Sequence, residues 1–570
     1  MTTEVDDASF APTIGGGCLV TLIEARGADA HRVYLTDPRG GRRLTYGELG
    51  RAVRGWRAEL DRRAVPLGGT VTIAVAQPLD FALAYLGVVA GGRRAVPVPA
   101  AAPGPELARS LGRLSPDLVI ADPVLGAGDG MVTPDAYLFG SPEGSRLAAT
   151  EAETGAETAV EAEAARQAEA AGQAGAGVAA ETGAETAGLA TAGHDELGGV
   201  LLASSGTTGK PKQVFLDTGR LLHVATAVAR HHRLTAADVG YNPLPLVHVN
   251  AEVVGLLATL VGGGELVLDQ RFHRRGFWDL IEASGVTWIN AVPAILAILA
   301  REPAPSSAQT RAVRFVRSAS APLPAAVLTG FESVTGLPVV ETYGMTEAAS
   351  QITANPLGDG RRAGSVGRPV GSEVRIVDPA GRPCPAGETG QVQIRGHGVI
   401  ARYATETGSD TGCETGSERF HTGGWLDTGD LGRLDADGYL FLVGRTDDVI
   451  NRGGEKIFPR EVEEVLLADP RVARAVVFGV PDDVLGQVPV ARVQLVAPTR
   501  GAEREPAGAR LRSAGAGGLP AELARRCAAR LDRFKRPVRI EVVDDIPVGQ
   551  TGKVLRRLVV DRAAGDPAAA

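Results

Sequence analysis

Apolar residues fall along this chain in short runs separated by glycine, proline and charge. Val71-Thr-Ile-Ala-Val-Ala76, Ala95-Val-Pro-Val98, Leu118-Val-Ile-Ala121 and Val200-Leu-Leu-Ala203 are bounded by turn residues and read as buried strands. Between them Leu44 to Leu60 repeats with helical period, and Thr45 and Glu48 stand at capping-box spacing at its start. Phe81 to Ala90 reads as a second helix. Strands alternating with helices predict a parallel sheet with crossover helices. The alternation resumes at Gly199. Helices are predicted at Leu221–Arg230, Ala251–Leu260, Phe277–Ser284 and from Pro293 through Leu299, where proline suits the first helical position. Strands are predicted at Leu266–Leu268, Val286–Ile289, Val313–Arg317 and Val339–Val340, and Asn242–Val249 reads as a strand running into a loop. From about Val370 a two-residue alternation (Val374-Arg-Ile-Val377, Gln391-Val-Gln-Ile394) predicts smaller antiparallel structure. From Gly444 onward the pattern is that of a small α+β unit. Its helices are Pro459–Ala468 and Ala521–Leu531, and its strands Ala475–Val480, Ala491–Val496 and Val538–Val543. The fold class is therefore α/β. A large N-terminal domain, residues 1–444, has parallel sheets flanked by helices plus a small β subdomain, and residues 445–570 form a small α+β C-terminal domain.

Composition changes this picture in one place. Residues 140–197 are mostly Ala, Glu, Gly and Thr, and Glu153-Thr-Gly-Ala-Glu-Thr-Ala159 is echoed at Glu181 to Ala187. Such a stretch buries too little apolar surface to offset its ordering entropy and reads as a mobile acidic insert. A second polar loop spans 405–418, and Pro498 to Pro520 reads as a loop. The net charge of −8 sits in the insert: residues 141–198 hold eleven acidic residues against two arginines, so the rest is near neutral. Nothing in that balance calls for nucleic acid or an anionic membrane. Cys18, Cys384, Cys413 and Cys527 lie far apart, which suggests neither a zinc site nor a disulfide framework. The acidic N-terminus lacks the features of a signal peptide, and Val253–Leu268 is too interrupted to span a bilayer. The expected location is the cytoplasm.

Candidate chemistry begins where the Val200 strand empties into Ser204-Ser-Gly-Thr-Thr-Gly-Lys-Pro-Lys212. Gly206 and Gly209 let backbone N–H groups approach a phosphate, and Ser204, Ser205, Thr207 and Thr208 can donate to it. Lys210 and Lys212 add positive charge. It is not the P-loop pattern, because Ser204 stands at its first glycine and Pro211 follows Lys210. Further along, Glu341-Thr-Tyr-Gly-Met-Thr-Glu347 follows a strand, and Trp425-Leu-Asp-Thr-Gly-Asp430 is expected to place two carboxylates on a tight turn. Gly444-Arg-Thr-Asp-Asp-Val-Ile-Asn-Arg-Gly-Gly-Glu-Lys456 is charged and broken by glycine, and Pro547-Val-Gly-Gln-Thr-Gly-Lys553 is a flexible loop ending in lysine. Taken singly each has a plain alternative: Tyr343 in a core, Asp430 capping a turn, Lys553 on a solvated tail.

Taken together and in this order, the set resembles the adenylate-forming superfamily of acyl-CoA synthetases, peptide-synthetase adenylation domains and luciferases, from Leu44 to Leu555 outside the two polar segments. The resemblance implies that ATP and a carboxylate give an acyl-adenylate and pyrophosphate, usually followed by thioester formation with coenzyme A. It implies that Ser204 to Lys212, with Ser205, Gly206, Thr207, Thr208, Gly209 and Lys210, hold the β- and γ-phosphates. Thr346 then bonds the α-phosphate and Glu347 holds magnesium. Tyr343, Gly344 and the Ser320-Ala321-Pro322 turn lie against the adenine. Asp430 accepts from the ribose hydroxyls, Arg445 adds a ribose contact, and Lys553 bridges the attacking carboxylate and the α-phosphate. Asp447 matches the hinge about which a mobile C-terminal domain turns, replacing Lys553 with a face bearing Gly453, Gly454 and Glu455 that admits the coenzyme A thiol.

The motifs around Arg317-Ser-Ala-Ser-Ala-Pro322, Gly364-Ser-Val-Gly-Arg-Pro369 and Ile450-Asn-Arg-Gly-Gly-Glu-Lys-Ile457 resemble small-acid ligases of the oxalyl-CoA synthetase type. That relative shows a histidine shortly after the Val-Pro matching Val292-Pro293, whereas Ala294 to Ile298 has none, and a desolvated oxalate-type dianion needs an extra cationic or donor partner. The implied acyl pocket takes His248, beside the acyl carboxylate, with Asn250, Asn290, Ser318, Gly344, Met345 and Ser365. The expected activity is an ATP-dependent ligase joining a small or medium acid to coenzyme A. The rivals are transfer to a separate carrier protein or an amine, activation of an inorganic oxyacid, and a degenerate nucleotide-binding regulator, which would lack Glu347, Asp430 or Lys553.

Overall fold

The computed structural model describes residues 18–100, 116–122, 131–132, 197–204, 212–404, 417–496, 518–549 and 553–564. The acidic insert except Leu197, residues 405–416 of the second polar loop, most of Pro498 to Pro520, and Ser205 to Pro211 lie outside the described residues. The chain forms two compact units. One comprises Met1–Phe272, Thr346–Ser350 and Arg402–Ser417; the other comprises His273–Met345, Gln351–Ala401 and Glu418–Ala570.

In the first unit the predicted alternation becomes two sets of strands. β1 (Val33–Thr36), β2 (Arg43–Thr45), β9 (Val239–Asn242) and β10 (Glu265–Leu268) lie in the order β2-β1-β10-β9, parallel except for β2. β3 (Thr70–Ala74), β4 (Arg94–Pro97), β5 (Leu118–Ala121), β6 (Met131–Val132), β7 (Gly199–Ser204) and β8 (Lys212–Asp217) form a six-stranded sheet in the order β6-β5-β3-β4-β7-β8. Its strands are parallel except β8, which returns antiparallel along β7. The helix Tyr46–Arg62 begins with the capping box expected of Thr45 and Glu48, a device that contributes about 1 kcal/mol. The helix Pro78–Ala90 is apolar all round and accordingly buried on every face. It closes on the first helix at Gly87, where an added Cβ would lie 2.4 Å from the Cβ of Trp56.

One element departs from its prediction. The apolar stretch expected as a single α-helix is a π-helix at Asn250–Leu257 followed by an α-helix at Ala258–Gly262. All eight π-helical residues are buried. A segment apolar on every face has no polar stripe by which periodicity could separate the two kinds of turn.

The second unit continues with β11 (Trp288–Ala291), β12 (Phe315–Ser318) and β13 (Val339–Met345), which are parallel, then β14 (Ser350–Ala354) and β15 (Arg368–Pro369), antiparallel to each other. An all-antiparallel sheet follows, as the two-residue alternation predicts: β16 (Glu373–Val377), β17 (Gly390–Arg395), β18 (Phe420–His421), β19 (Trp425–Leu434) and β20 (Leu440–Arg445). Here a second prediction is corrected. Trp425 to Asp430 is not a tight turn but the first half of β19, and its glycine marks a register shift against β17 rather than a chain reversal.

The C-terminal part is a sheet of β21 (Ile450–Arg452), β22 (Glu455–Ile457), β23 (Val472–Asp482), β24 (Gly486–Leu495) and β25 (Arg539–Val543). Side chains alternate across β23. Val477 packs with Val462, Leu466 and Leu523 of the helices Pro459–Leu467 and Gly518–Arg530, while Val476 and Phe478 pack with Ile546 and Val559. The second of these clusters includes Val559 of the helix Arg556–Ala564, which starts three residues after Lys553.

Candidate active site

In the first unit, β7 ends at Ser204 directly opposite Lys212, the first residue of β8. The glycine–hydroxyl loop is therefore the connection of a hairpin, although Ser205, Gly206, Thr207, Thr208, Gly209 and Lys210 themselves lie outside the described residues. The Lys212 ammonium stands 4.8 Å from the ring centroid of Tyr403, a cation–π distance. Tyr403 Oη donates to Glu347 Oε1 at 3.0 Å, and Ala404 N–H donates to the Gln213 carbonyl at 2.9 Å. Lys212, Tyr403 and the buried Glu347 thus form one chain of contacts. Glu347 rides on the 3₁₀ turn Thr346–Ala348, after which Ala349 and Ser350 both take positive φ, 49° and 97°. Two non-glycine residues in that region store strain, which persists where the surroundings over-determine the conformation.

In the second unit, Asp430 and Arg445 face each other across β19 and β20, with Arg445 Nη1 3.3 Å from Asp430 Oδ1. Tyr343 Oη donates to Asp430 Oδ2 at 2.5 Å. Asp430 N–H donates to Thr428 Oγ1 at 3.1 Å, and Thr428 Oγ1 donates to the Val392 carbonyl at 2.9 Å, which fixes the strand beneath the carboxylate. Gly429 has φ +77°, and a Cβ there would lie 2.9 Å from Arg445 Nη2, so only glycine lets the guanidinium close on Asp430. Burial pushes the Asp430 carboxyl above its usual range, opposed by Arg445, by the Tyr343 hydroxyl and by the charges of Lys553 and Arg419. Lys553 is thereby within electrostatic reach of Asp430. The Tyr343 ring is partly exposed, yet desolvation of its hydroxyl and then the Asp430 charge push its pKa well up, so it stays a donor.

The strands β11, β12 and β13 end beside one another. Ala291 pairs with Ser318 and Ser318 with Glu341. Glu341 is buried, and desolvation raises its pKa to about 7, against the pull of Arg460 and of the Leu323 N–H it accepts. Ser320 follows β12 with φ 71°, a further non-glycine in the left-handed region, and Ala321 and Pro322 lead on to the helix Ala325–Thr335. Arg317, quoted from sequence only as part of a motif, is fully buried. It donates from Nη1 to Asn290 Oδ1 at 3.0 Å and from Nε and Nη2 to Gln351 Oε1, each at 3.4 Å. Burial lowers its pKa to about 9, which leaves it protonated at neutral pH. The available signal was its setting: parallel strands are covered on both faces, so a charged residue inside one has no solvent side to turn to.

The remaining expected residues are placed as follows. Asn250 opens the π-helix and is buried, and His248 N–H donates to the Pro245 carbonyl at 3.2 Å. Gly344 is exposed and Met345 partly so. Ser365 Oγ donates to the Leu440 carbonyl at 2.8 Å and accepts from Gly367 N–H at 3.0 Å, tying both to its own subdomain. Asp447 is exposed on the 3₁₀ turn Thr446–Asp448. Its neighbour Asp448 lies 3.2 Å from Arg556, which also pairs with the partly buried Glu463 at 2.8 Å. Gly453 and Gly454, with φ 58° and 92°, turn the hairpin that pairs Arg452 with Glu455, and Glu455 is exposed. No helix among the described residues is long and apolar enough to cross a membrane.

The second unit thus holds a carboxylate bonded by Tyr343 and paired with Arg445, and the charge of Lys553 acts on it. Residues 24–404 match the AMP-binding enzyme family and residues 461–553 match the AMP-binding enzyme C-terminal domain, and the chain belongs to that family. It is similar to sulfoacetate–CoA ligase of Cupriavidus necator, 39% identical over 368 residues, 64% of this chain and 67% of that one. It is also similar to oxalate–CoA ligase of Saccharomyces cerevisiae, 35% identical over 64% of this chain and 63% of that one. The chain thus spans about two thirds of the length of these relatives. Among solved structures it resembles o-succinylbenzoate CoA synthetase of Bacillus subtilis in complex with its acyl-adenylate intermediate. That likeness has a TM-score of 0.71 and 26% identity and covers 94% of this chain and 97% of that one. ATP-bound MatB of Rhodopseudomonas palustris gives a TM-score of 0.75 at 25% identity, over 95% and 98%.

Proposed function

We propose that this protein uses ATP to activate a small carboxylic acid as its acyl-adenylate, releasing pyrophosphate, and then transfers the acyl group to the thiol of coenzyme A with release of AMP. The observation that carries this reading is Asp430, whose two oxygens meet Tyr343 and Arg445 while Lys553 acts on the same charge. A carboxylate accepts from two neighbouring hydroxyls, as a ribose requires. Lys553 is the cation for the charge that builds up when the acid oxygen attacks the α-phosphorus. Thr346 donates to the α-phosphate, and Ser204 to Lys212 take the β- and γ-phosphates. Glu347, buried and bonded by Tyr403, is the hard oxygen ligand that suits magnesium. When bound, the ion would neutralise phosphate charge. The names of the relatives, ligases for sulfoacetate and oxalate, support a small acid and coenzyme A as acceptor.

Residues 445–570 would act as a lid hinged at Asp447, with Lys553 belonging to the adenylating arrangement and Gly453 to Glu455 to the thioester-forming one. The test is acid-dependent pyrophosphate release over a panel of carboxylates, with and without coenzyme A. Thioester formation in the coenzyme A arm is the expected result. Pyrophosphate release with no thioester would overturn the choice of acceptor, and no release at all would overturn the activity.

A further inference from the structure

Lys553 is exposed, so its place depends on the backbone that carries it. Gly549 N–H donates to the Lys553 carbonyl at 2.8 Å, Leu555 N–H donates to the Pro547 carbonyl at 2.9 Å, and Val548 bridges Val554. The lysine thus lies on a narrow antiparallel arm that runs straight into the helix Arg556–Ala564. The first residue of that helix, Arg556, reaches three separate segments. Its Nε lies 3.2 Å from Asp448 Oδ2 on the 3₁₀ turn Thr446–Asp448, its Nη2 donates to Glu463 Oε1 at 2.8 Å on the helix Pro459–Leu467, and its Nη1 donates to the Val477 carbonyl on β23. Glu463 also accepts from Val477 N–H at 2.8 Å. β23 ends the order of its sheet, so Glu463 and Arg556 between them satisfy both backbone groups of a residue on a sheet edge. Edge capping is complete with those contacts. The contact to Asp448 is additional, and Asp448 follows the expected hinge residue Asp447 directly. Burial pushes the Glu463 carboxyl up and the Asp448 charge adds to that, with Arg556 opposing both. With the guanidinium gone the two carboxylates would repel or one would take up a proton, and neither outcome holds the turn to the arm.

We propose that Arg556 is the positioning residue for Lys553: it ties the lysine arm to the hinge turn, so that a rotation about Asp447 carries the lysine with it. This rests on the adenylating role given to Lys553 above. Three residues span at most about 10 Å, so the anchor lies close to the ammonium it serves. The planar fork of the guanidinium serves several acceptors in fixed directions at once, which a lysine at this position could not reproduce. Arg557, the next residue, is exposed and lies 3.9 Å from Asp561 on its own helix, so it has no part in this tie.

The test reads two half-reactions of the full chain: acid-dependent pyrophosphate release, with the carboxylate that gives most release in the panel above, and thioester synthesis from supplied acyl-adenylate and coenzyme A. Arg556→Met should lower pyrophosphate release roughly 10- to 100-fold, in kcat rather than in KM for ATP, and should spare thioester synthesis. Arg556→Lys should restore part of the loss, and Arg557→Met should change neither rate. In a Lys553→Ala background, with the residual rate followed by labelled ATP, Arg556→Met should cost nothing further, because it acts through the lysine. Circular dichroism melts check that the variants fold. Should Arg556→Met not fold, Asp448→Ala is read instead, which leaves the contacts to Glu463 and Val477 in place, with a fall of about 10-fold in the same half-reaction. Equal loss in both half-reactions, a further loss in the Lys553→Ala background, or undiminished pyrophosphate release where Lys553→Ala loses it would each overturn this proposal while leaving acid activation standing. Full release by Lys553→Ala would overturn the role of the lysine and this proposal with it.

Discussion

Glu341 gives the sharpest physical test. Its carboxyl is buried at the end of β13, and desolvation raises its pKa from 4.5 to about 7. The folded chain therefore holds a proton at Glu341 that the unfolded chain releases. Below about pH 4.5 both forms are protonated and the contribution is fully present. Between about pH 4.5 and 7 the unfolded form binds fewer protons, so stability falls as pH rises, and above 7 the loss is complete. A shift of about 2.5 units at 1.36 kcal/mol each makes that loss about 3 kcal/mol. Glu341→Gln keeps the shape of the neutral acid and removes the titration. Because a chain of two units need not unfold in one step, the quantity to measure is the Tm of wild type minus variant in a pH series. That difference should be flat at acid pH, turn against the wild type on the order of 5 °C between pH 4.5 and 7, and be flat again above. Parallel curves, or a wild type that gains on the variant with rising pH, would refute the assignment of a carboxyl whose desolvation outweighs Arg460 and the Leu323 N–H.

Lys553→Ala should lower adenylate formation by about 100-fold or more while sparing thioester synthesis from supplied acyl-adenylate, because one cation serves one half-reaction. Equal loss in both would count against the hinged lid. Tyr343→Phe removes a hydrogen bond to Asp430 and should raise KM for ATP roughly 10-fold. It should also move the acid limb of the kcat/KM profile upward, since that bond lowers the Asp430 pKa. Glu252, in the π-helix, is fully buried with both carboxyl oxygens unbonded among the described residues, and its pKa is pushed well up by burial. Glu252→Met should raise stability by about 1–3 kcal/mol at neutral pH, read as a higher Tm, and a lower Tm would show that the carboxyl has a role in the fold.

Short apolar runs bounded by glycine and proline determined the strands in advance, and Thr45 with Glu48 determined where the first long helix starts, because these effects are local. Sequence order also brought out Tyr343, Asp430, Arg445 and Lys553 as a set. What it could not supply was their mutual grip. The bond of Tyr343 to Asp430 spans 87 positions, and the pairing of Asp430 with Arg445 depends on strand register. The tight turn expected at Trp425–Asp430 failed for the same reason: a glycine looks alike whether it reverses the chain or shifts a ladder. Arg317 was in plain sight in the sequence, but only the sheet shows that it is buried and packed between two amides from separate strands. Local preference is written residue by residue. Burial, and with it the altered proton affinity of Glu341 and Arg317, exists only once distant segments have closed around a side chain.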